Sequence, residues 1–472
     1  MLTSRPNKND VVTLEITALT NEGSGVGHYG ADENSRGMAV FVPFTAVGDV
    51  ISCRIVKVLK SYAYGRLEAI LTASPDRVEN YCPVYGKCGG CCFRHISYEA
   101  ELRAKEGFVR DAFGRIGGLS PEMLPIRGSE SVDGYRNKLQ MPLSRQDGRT
   151  VCGFFSERSH RVIPTEKCAL QPEIFAEIAN FVTEQADRLR ISVYNEEKHE
   201  GVLRHIYLRR GHYSGEICLC LVARRKVPEF QKLAKSVTER FPQITGVVLN
   251  INREKTNVIL GDEEIVLAGK PDISDTMCSI KVEISPRAFY QVNTPAAEAL
   301  YAQAAEFAEP EGKLLLDLYC GAGTIGLSMA GETRRLIGAE IVPQAVEYAR
   351  RNAERNSINN AEFICADAGQ AAKQLESAGE RPDVIILDPP RKGCDDATLT
   401  ACAGMQPERI VMISCNAATA ARDCKRLEEL GYALKKVRPF DLFPRTSHVE
   451  CAPVLIKKKM FKCVEQKNRS LY

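Results

Sequence analysis

Of the eighteen cysteines in the 472-residue chain, five sit in patterns that could do chemistry. Cys415 closes a predicted strand, Arg409–Ser414, and directly precedes a predicted helix, Ala417–Glu429, where amide dipoles favour a thiolate. Further on, Phe440-Asp-Leu-Phe-Pro-Arg-Thr-Ser-His-Val-Glu450 offers two proton carriers, His448 and Glu450. A thiolate with a base nearby suits a pyrimidine ring. Uracil C5 is a poor nucleophile, but addition of sulfur at C6 makes C5 an enolate carbon that can take an electrophile. A base must then remove the C5 proton before the sulfur can leave. On spacing alone the bland alternatives stay open: Cys415 as a small core residue, and Glu450 in a salt bridge.

A nucleotide site is read upstream. Leu314–Tyr319 is a hydrophobic strand carrying Asp317, followed by Cys320-Gly-Ala-Gly323-Thr-Ile-Gly326 and a helix. A glycine-rich strand-to-helix turn lets backbone approach a ligand. A second strand ends at Glu340, about 20 residues on, where a carboxylate can accept ribose hydroxyls. A third, Glu362–Cys365, runs into Asp367, and a fourth, Asp383–Leu387, into Asp388-Pro-Pro-Arg-Lys-Gly393. Gly321-x-Gly323-x-x-Gly326 taken alone is a dinucleotide fingerprint, so NAD is a rival ligand. Asp317, placed to meet a cationic amino-acid end, and Asp367, placed for adenine, favour S-adenosylmethionine. Arg391 stands where enzymes methylating exocyclic amines carry an aromatic, which counts against that chemistry.

The other four cysteines are Cys82-x5-Cys88-x2-Cys91 and, far downstream, Cys168. Structural zinc prefers two short C-x2–4-C hairpins. The five-residue gap and distant fourth thiol suit an iron–sulfur cluster better. Cys92 is an additional thiol beside Cys91.

These residues need elements to hold them. Short β-rich runs at Val11–Ile16, Ala39–Val42, Val50–Val58 and Tyr64–Ile70, with Gly23, Gly25, Gly27 and Gly30 read as turns, predict a small closed barrel of the OB type. Residues 99–115 read as a helix. Residues 133–284 mix strands at Ile206–Arg209, Ile217–Val222, Gly246–Asn250 and Asn257–Leu260 with a helix near Glu173–Leu189, an α+β pattern. From about Ile284 strands and helices alternate, which means βαβ units and a parallel sheet. The expected division is 1–73 barrel, 74–284 central domain with the cysteine loop, and 285–472 α/β domain, with helix 99–115 a candidate to pack on the last.

Two resemblances follow. Leu14-Glu-Ile-Thr-Ala-Leu-Thr-Asn-Glu-Gly-Ser-Gly-Val-Gly27 with Val40-Phe-Val-Pro43 resembles the TRAM domain of RNA-modifying enzymes. Asp-Leu-Tyr-Cys-Gly-x-Gly resembles the first motif of class I methyltransferases. With Asp388-Pro-Pro-Arg-Lys-Gly, Ser414-Cys-Asn and Phe443-Pro-x-Thr-x-His-Val-Glu450, the chain resembles the RNA uracil-C5 methyltransferases, closest to the bacterial 23S rRNA enzymes. That resemblance implies a Rossmann-like catalytic domain making 5-methyluridine. It implies Cys415 as the nucleophile at C6 and Glu450 as the base. It implies Gln291, Tyr319, Glu340 and Asp388 as S-adenosylmethionine contacts, to which the strand argument adds Asp317 and Asp367. It also implies a structural [4Fe–4S] cluster on Cys82, Cys88, Cys91 and Cys168. Phe289 is a further aromatic that could stack on a ring. The family's tRNA enzyme lacks barrel and cluster, so their presence favours 23S rRNA over tRNA as partner.

Composition narrows the field. Lys+Arg 63 against Asp+Glu 60 is nearly balanced, and the excess cation lies around the cysteine loop, with 14 basic to 10 acidic residues over 81–170. No apolar run approaches the roughly 18 residues of a membrane span, and Met1–Asp10 lacks a signal-peptide core. A cytoplasmic protein in a reducing compartment is expected, with a monomer assumed. The lysine-rich Lys457–Lys467 reads as a solvated end. The rivals from other classes are an NAD-dependent oxidoreductase and a non-catalytic iron–sulfur RNA-binding protein, both of which would tolerate Cys415→Ala.

Overall fold

The computed structural model describes residues 5–31, 37–157 and 159–458, so the lysine-rich segment beyond Lys458 lies outside it. Alternating inward residues on the first strands (Leu14, Ile16, Val40, Val42, Ile51, Cys53, Ile55, Ala63) can be buried only by closing the sheet on itself. The result is a barrel of order β1-β2-β3-β5-β4, made of β1 (Val11–Leu19), β2 (Ser24–Tyr29), β3 (Met38–Pro43), β4 (Val50–Val58) and β5 (Tyr62–Thr72). Residues 24–29, read from their glycines as a turn, are a full strand. The glycines are there for close approach: a Cβ on Gly25 would lie 2.0 Å from Thr45 Oγ1, and one on Gly27 3.0 Å from Leu14 Cβ.

Helix α1 (Tyr98–Asp111) starts at Ser97, whose side chain accepts from the Ala100 amide, and continues as a π-helical turn, Ala112–Gly117. β6 (Glu122–Met123) follows and pairs with the far C-terminal strand β21 (Tyr432–Phe440).

The central sheet has the order β13-β12-β11-β10-β7-β8-β9. Its strands are β7 (Lys138–Gln146), β8 (Arg149–Phe155), β9 (Val162–Pro164), β10 (Leu203–Arg210), β11 (Ile217–Ala223), β12 (Ile244–Ile251) and β13 (Glu263–Gly269). Helices α2 (Glu173–Arg188) and α3 (Glu229–Arg240) bury one face with Phe175, Val182, Phe230 and Leu233, while Tyr207, Cys218 and Cys220 on the other join the core of the C-terminal unit. Burial on both faces explains the unbroken apolar run of β11. The strand expected at Asn257–Leu260 lies instead at β13. The Asn252 side chain donates to the Val258 and Ile259 carbonyls, and Asn250 bonds Gly261 in both directions, so that segment is held by side chains rather than a ladder.

After the hairpin β14 (Ile273–Met277) and β15 (Ile280–Ile284) come α4 (Thr294–Ala308), β16 (Leu314–Leu318), α5 (Thr324–Met329), β17 (Arg335–Glu340), α6 (Pro343–Arg355), β18 (Ala361–Cys365), α7 (Ala368–Ser377), β19 (Val384–Leu387), α8 (Asp396–Gly404), β20 (Arg409–Met412), α9 (Ala417–Glu429), β21 and β22 (Glu450–Lys457). The sheet order is β18-β17-β16-β19-β20-β22-β21-β6, parallel from β18 to β20 and antiparallel at β22. The order reverses between β16 and β19, where ligands sit in the crevice at the carboxyl ends of the strands. No helix among the described residues is long and apolar enough to cross a membrane.

Candidate functional site

The crevice is built from strand ends. Asp317 in β16 is fully buried; its Oδ2 accepts the Gly326 amide at 2.9 Å, while Oδ1 has no partner. Burial, opposed by that amide, raises its carboxyl to about 8, and Asp388 and Glu340 add to the rise. An open buried acceptor of this kind fits a cationic ligand group. Tyr319 follows with a left-handed backbone (φ 65°), and Gly321 (φ 56°) and Gly323 (φ 81°) continue the turn. A Cβ on Gly323 would press on Leu327, Ala349 and Phe363 at 3.1–3.2 Å, so that residue is set by packing as well as by φ. Glu340, at the end of β17, accepts the Gly321 amide at 3.1 Å and the Val342 amide at 2.9 Å. Gln291 is buried, its carbonyl takes the Asn137 side chain at 2.8 Å, and its side chain faces the Tyr301 hydroxyl with Thr324. Asp367 Oδ1 caps α7 through the Gly369 amide at 3.0 Å.

Cys415 and Glu450 belong to neighbouring strand ends. Ser414 and Cys451 exchange both backbone hydrogen bonds, at 3.0 and 2.9 Å, which sets the residue after one beside the residue before the other. Glu450 is buried, and burial raises its carboxyl to about 8, with Asp388 adding and Arg391 opposing. The Cys415 thiol is likewise pushed up, first by burial, then by Glu450. Asn416, the N-cap of α9, occupies the Ala418 and Thr419 amides with its own Oδ1. Arg391, close to the sulfur, draws the thiol down. Its carbonyl is fixed by the Asn416 side chain at 3.1 Å, and its guanidinium lies 3.4 Å from His448 Nε2. Arg391 is thus a site residue that the sequence reading used only as evidence against another chemistry. His448 packs edge-on to Phe443, and burial followed by Arg391 holds its basicity down.

Cys415, Arg391 and His448 line a cavity of about 530 Å³. Thr20, Asn21 and Glu22 of the β1–β2 turn line the same cavity, so the barrel reaches the crevice that holds Cys415. Phe289 is 75% exposed. The loop carrying His448 and Glu450 is pinned from below. Lys105 Nζ, fully buried in α1, donates to Glu101 Oε1 (2.7 Å), Asp441 Oδ1 (2.8 Å) and the Phe443 carbonyl (3.1 Å).

The cysteine loop abuts that same segment: the Cys92 and Phe93 amides both donate to the Arg445 carbonyl. Burial raises the Cys91 thiol to about 11 against Arg94, which lowers it, and Cys168 and Cys88 are near enough to add to the rise. Cys168 in turn feels Cys88 and Cys82. The four thiols therefore share one neighbourhood. They do not converge on a point: among the described residues no group of three or more His, Cys, Asp or Glu is arranged to hold a metal ion. The [4Fe–4S] cluster expected on Cys82, Cys88, Cys91 and Cys168 thus has no preformed metal site behind it among the described residues.

The geometry can be set beside known proteins. The family model described as tRNA (Uracil-5-)-methyltransferase matches residues 97–459, and that of the TRAM domain matches 7–67. An uncharacterized RNA methyltransferase of Halalkalibacterium halodurans is 43% identical, covering 95% of this chain and 97% of its own length. One from Clostridium tetani is 40% identical over 94% and 95%. The solved tRNA (uracil-54, C5)-methyltransferase of Pyrococcus abyssi, in complex with S-adenosyl-L-homocysteine, superposes with a TM-score of 0.76 at 27% identity, covering 94% of this chain and all of that one. With a TRAM barrel leading into a strand-end crevice of the methyltransferase type, the chain belongs to the RNA uracil-5-methyltransferase family and is an S-adenosylmethionine-dependent RNA methyltransferase.

Proposed function

We propose that the chain makes 5-methyluridine through a covalent adduct. Cys415 Sγ adds to C6 of the target uracil, and the electrons move to C5 and O4. S-adenosylmethionine, when bound, would supply an electrophilic methyl group to C5, its S–CH3 bond breaking to leave S-adenosylhomocysteine. Glu450 then accepts the C5 proton, the C5–C6 double bond re-forms and the C6–S bond breaks, returning the thiolate. Arg391 stabilises that thiolate and the Glu450 carboxylate, both of which it faces. Gln291, Tyr319, Glu340 and Asp388 hold the cofactor, with Asp317 Oδ1 toward its cationic end and Asp367 at the adenine side. The target base must leave its stack to reach the cavity. The single observation that carries the reading is the Ser414–Cys451 pair, which sets Cys415 beside Glu450.

The substrate we propose is 23S rRNA, on the resemblance of barrel and cysteine loop to the enzymes that act there. A tRNA reading is favoured by one observation: a solved tRNA enzyme spans 94% of this chain, more than could be reached without the barrel. The division into a barrel at 1–73, a central domain at 74–284 and a catalytic domain at 285–472 is part of the proposal, as is a [4Fe–4S] cluster on Cys82, Cys88, Cys91 and Cys168. No step of the reaction uses that cluster. Iron and acid-labile sulfide in anaerobically purified protein test it, and stoichiometric absence of both would remove it.

For the function itself, the protein is given labelled S-adenosylmethionine with unmodified 23S rRNA or unmodified tRNA, and the nucleosides are resolved by mass. 5-Methyluridine in rRNA alone supports both chemistry and substrate. Label in tRNA alone keeps the chemistry and replaces the substrate. Label in neither overturns the reading.

A further inference from the structure

The outward face of the barrel carries something its own core does not require. Val40, Val42 and Ala63 point inward and are fully buried. Between them, Phe41 on β3 and Tyr62 and Tyr64 on β5 point outward. Their rings form one cluster: Phe41–Tyr62 centroids are 5.4 Å apart, Phe41–Tyr64 5.9 Å and Tyr62–Tyr64 5.6 Å. Tyr64 is 41% exposed and Phe41 and Tyr62 are partly exposed. Lys57 is the β4 partner of Tyr64, is exposed, and has no carboxylate partner among the described residues. Arg54 and Arg66 lie beside it and share Glu68. Three aromatic rings with a surplus of cation, on a small barrel, present the two things an unpaired nucleic acid strand offers to bind: ring faces and phosphates.

Along β3 the face starts close to a turn that lines the proposed active site. Phe41 pairs with Val26, and two residues on, Pro43 pairs with Ser24 beside the β1–β2 turn. That turn supplies Thr20, Asn21 and Glu22 to the cavity holding Cys415. At about 3.3 Å per strand residue, Phe41 stands roughly 7 Å along β3 from that turn. The aromatic rings are thus within a nucleotide or so of a strand of RNA that leaves the cavity over the turn.

We propose that Phe41, Tyr62 and Tyr64 form a stacking platform for unpaired bases of the substrate RNA flanking the target uridine, with Lys57 on the adjoining phosphate. This rests on the RNA uracil methylation reading and adds a mode of recognition: bases taken by their faces, without sequence readout, and only where the flank is single-stranded.

The test is a binding titration with the full chain and two RNAs. They share one target hairpin and differ in whether the flank is unpaired or closed by a complementary strand. The double variant Phe41→Ala, Tyr64→Ala should bind the unpaired-flank RNA at least about tenfold more weakly, with the slope of log affinity against log salt unchanged, because no phosphate contact is lost. Lys57→Gln should lower that slope by about one. On the closed-flank RNA the aromatic variants should match the parent. Equal loss on both RNAs, or none on either, overturns the platform. Should the double variant unfold, Tyr64→Trp and Tyr64→Leu decide: Trp should keep the affinity and Leu lose it. If neither substitution affects RNA but a protein co-purifies only with the parent, the face is a protein contact. Methyl transfer by the parent, measured separately, shows whether the underlying reading stands, since binding can fail or hold independently of turnover.

Discussion

Lys105 Nζ lies 2.8 Å from Asp441 Oδ1, across 336 residues of chain, and both side chains are wholly excluded from solvent. A lone cation could not remain charged there; Glu101, Asp441 and the Phe443 carbonyl together neutralise and saturate it. Lys105→Met would leave two carboxylates facing each other without the cation between them. Removal of one partner from a buried network costs about 3–5 kcal/mol, so the variant should melt several degrees lower. The companion Lys105→Met, Glu101→Gln, Asp441→Asn should recover part of the loss. Thermal unfolding of the parent and the two variants checks this, and an unchanged melting temperature in the single variant would contradict the buried network.

The covalent pathway separates the two reacting groups. Cys415→Ala should abolish methyl transfer while RNA binding stays within about threefold. Glu450→Gln should still form the adduct and take the methyl group but stall before release, with turnover reduced about 10²–10⁴-fold. Denaturing gels with labelled RNA would then show a retained protein–RNA species for Glu450→Gln and none for Cys415→Ala.

Glu450 also sets a pH signature. Its carboxyl is raised from an ordinary 4.5 to about 8, burial being the first cause. Turnover limited by proton removal should rise with pH and level off near 8, and Glu450→Gln should lack that limb.

The same shift has a stability counterpart. Below pH 4.5 the group is protonated folded and unfolded and contributes nothing; between 4.5 and about 8 only the unfolded chain ionises, so stability falls as pH rises. The slope is about 1.4 kcal/mol per pH unit. Asp317, raised from 3.8 to about 8, adds a loss of the same sign. Glu450→Gln should therefore gain melting temperature relative to the parent at pH 8 and not at pH 4, as read by calorimetry at both.

Gly25 tests the barrel. Its Cβ would meet Thr45 Oγ1 at 2.0 Å and Ile16 Cγ2 at 2.9 Å. Gly25→Ala should cost about 1–3 kcal/mol, measured by denaturant unfolding.

The α/β rhythm after Ile284 and the alternation in the barrel were legible because a two- or 3.6-residue period maps directly onto burial. Residues 24–29 were not, since glycine signals turns and tight packing alike, and only Thr45 and Leu14, far along the chain, show which applies. Asn257–Leu260 carries strand-like residues but is captured by Asn250 and Asn252. Asp367 stood at the expected strand end, yet an acidic residue before a helix is also a cap, and its Oδ1 serves as one. The proximity of Cys415 to Glu450 depends on the antiparallel pairing of β20 with β22, and that of Arg391 to both on a loop from a third strand. The Lys105 network is the least visible of all, because its partners are separated by most of the chain.

That separation bears on how the protein is made. Synthesis at about 5–20 residues per second leaves Lys105 waiting on the order of 20–70 s for Asp441 to emerge. Until then α1 cannot settle, β6 has no β21 to join, and the Cys92 and Phe93 amides have no Arg445 carbonyl. Contacts this distant in sequence form late and close long loops. The stretch from the cysteine loop to β6 is therefore held open on the ribosome until the last strands arrive, and a chain cut short before Asp441 would carry its defect near its beginning, as an unburied helix for quality control to find.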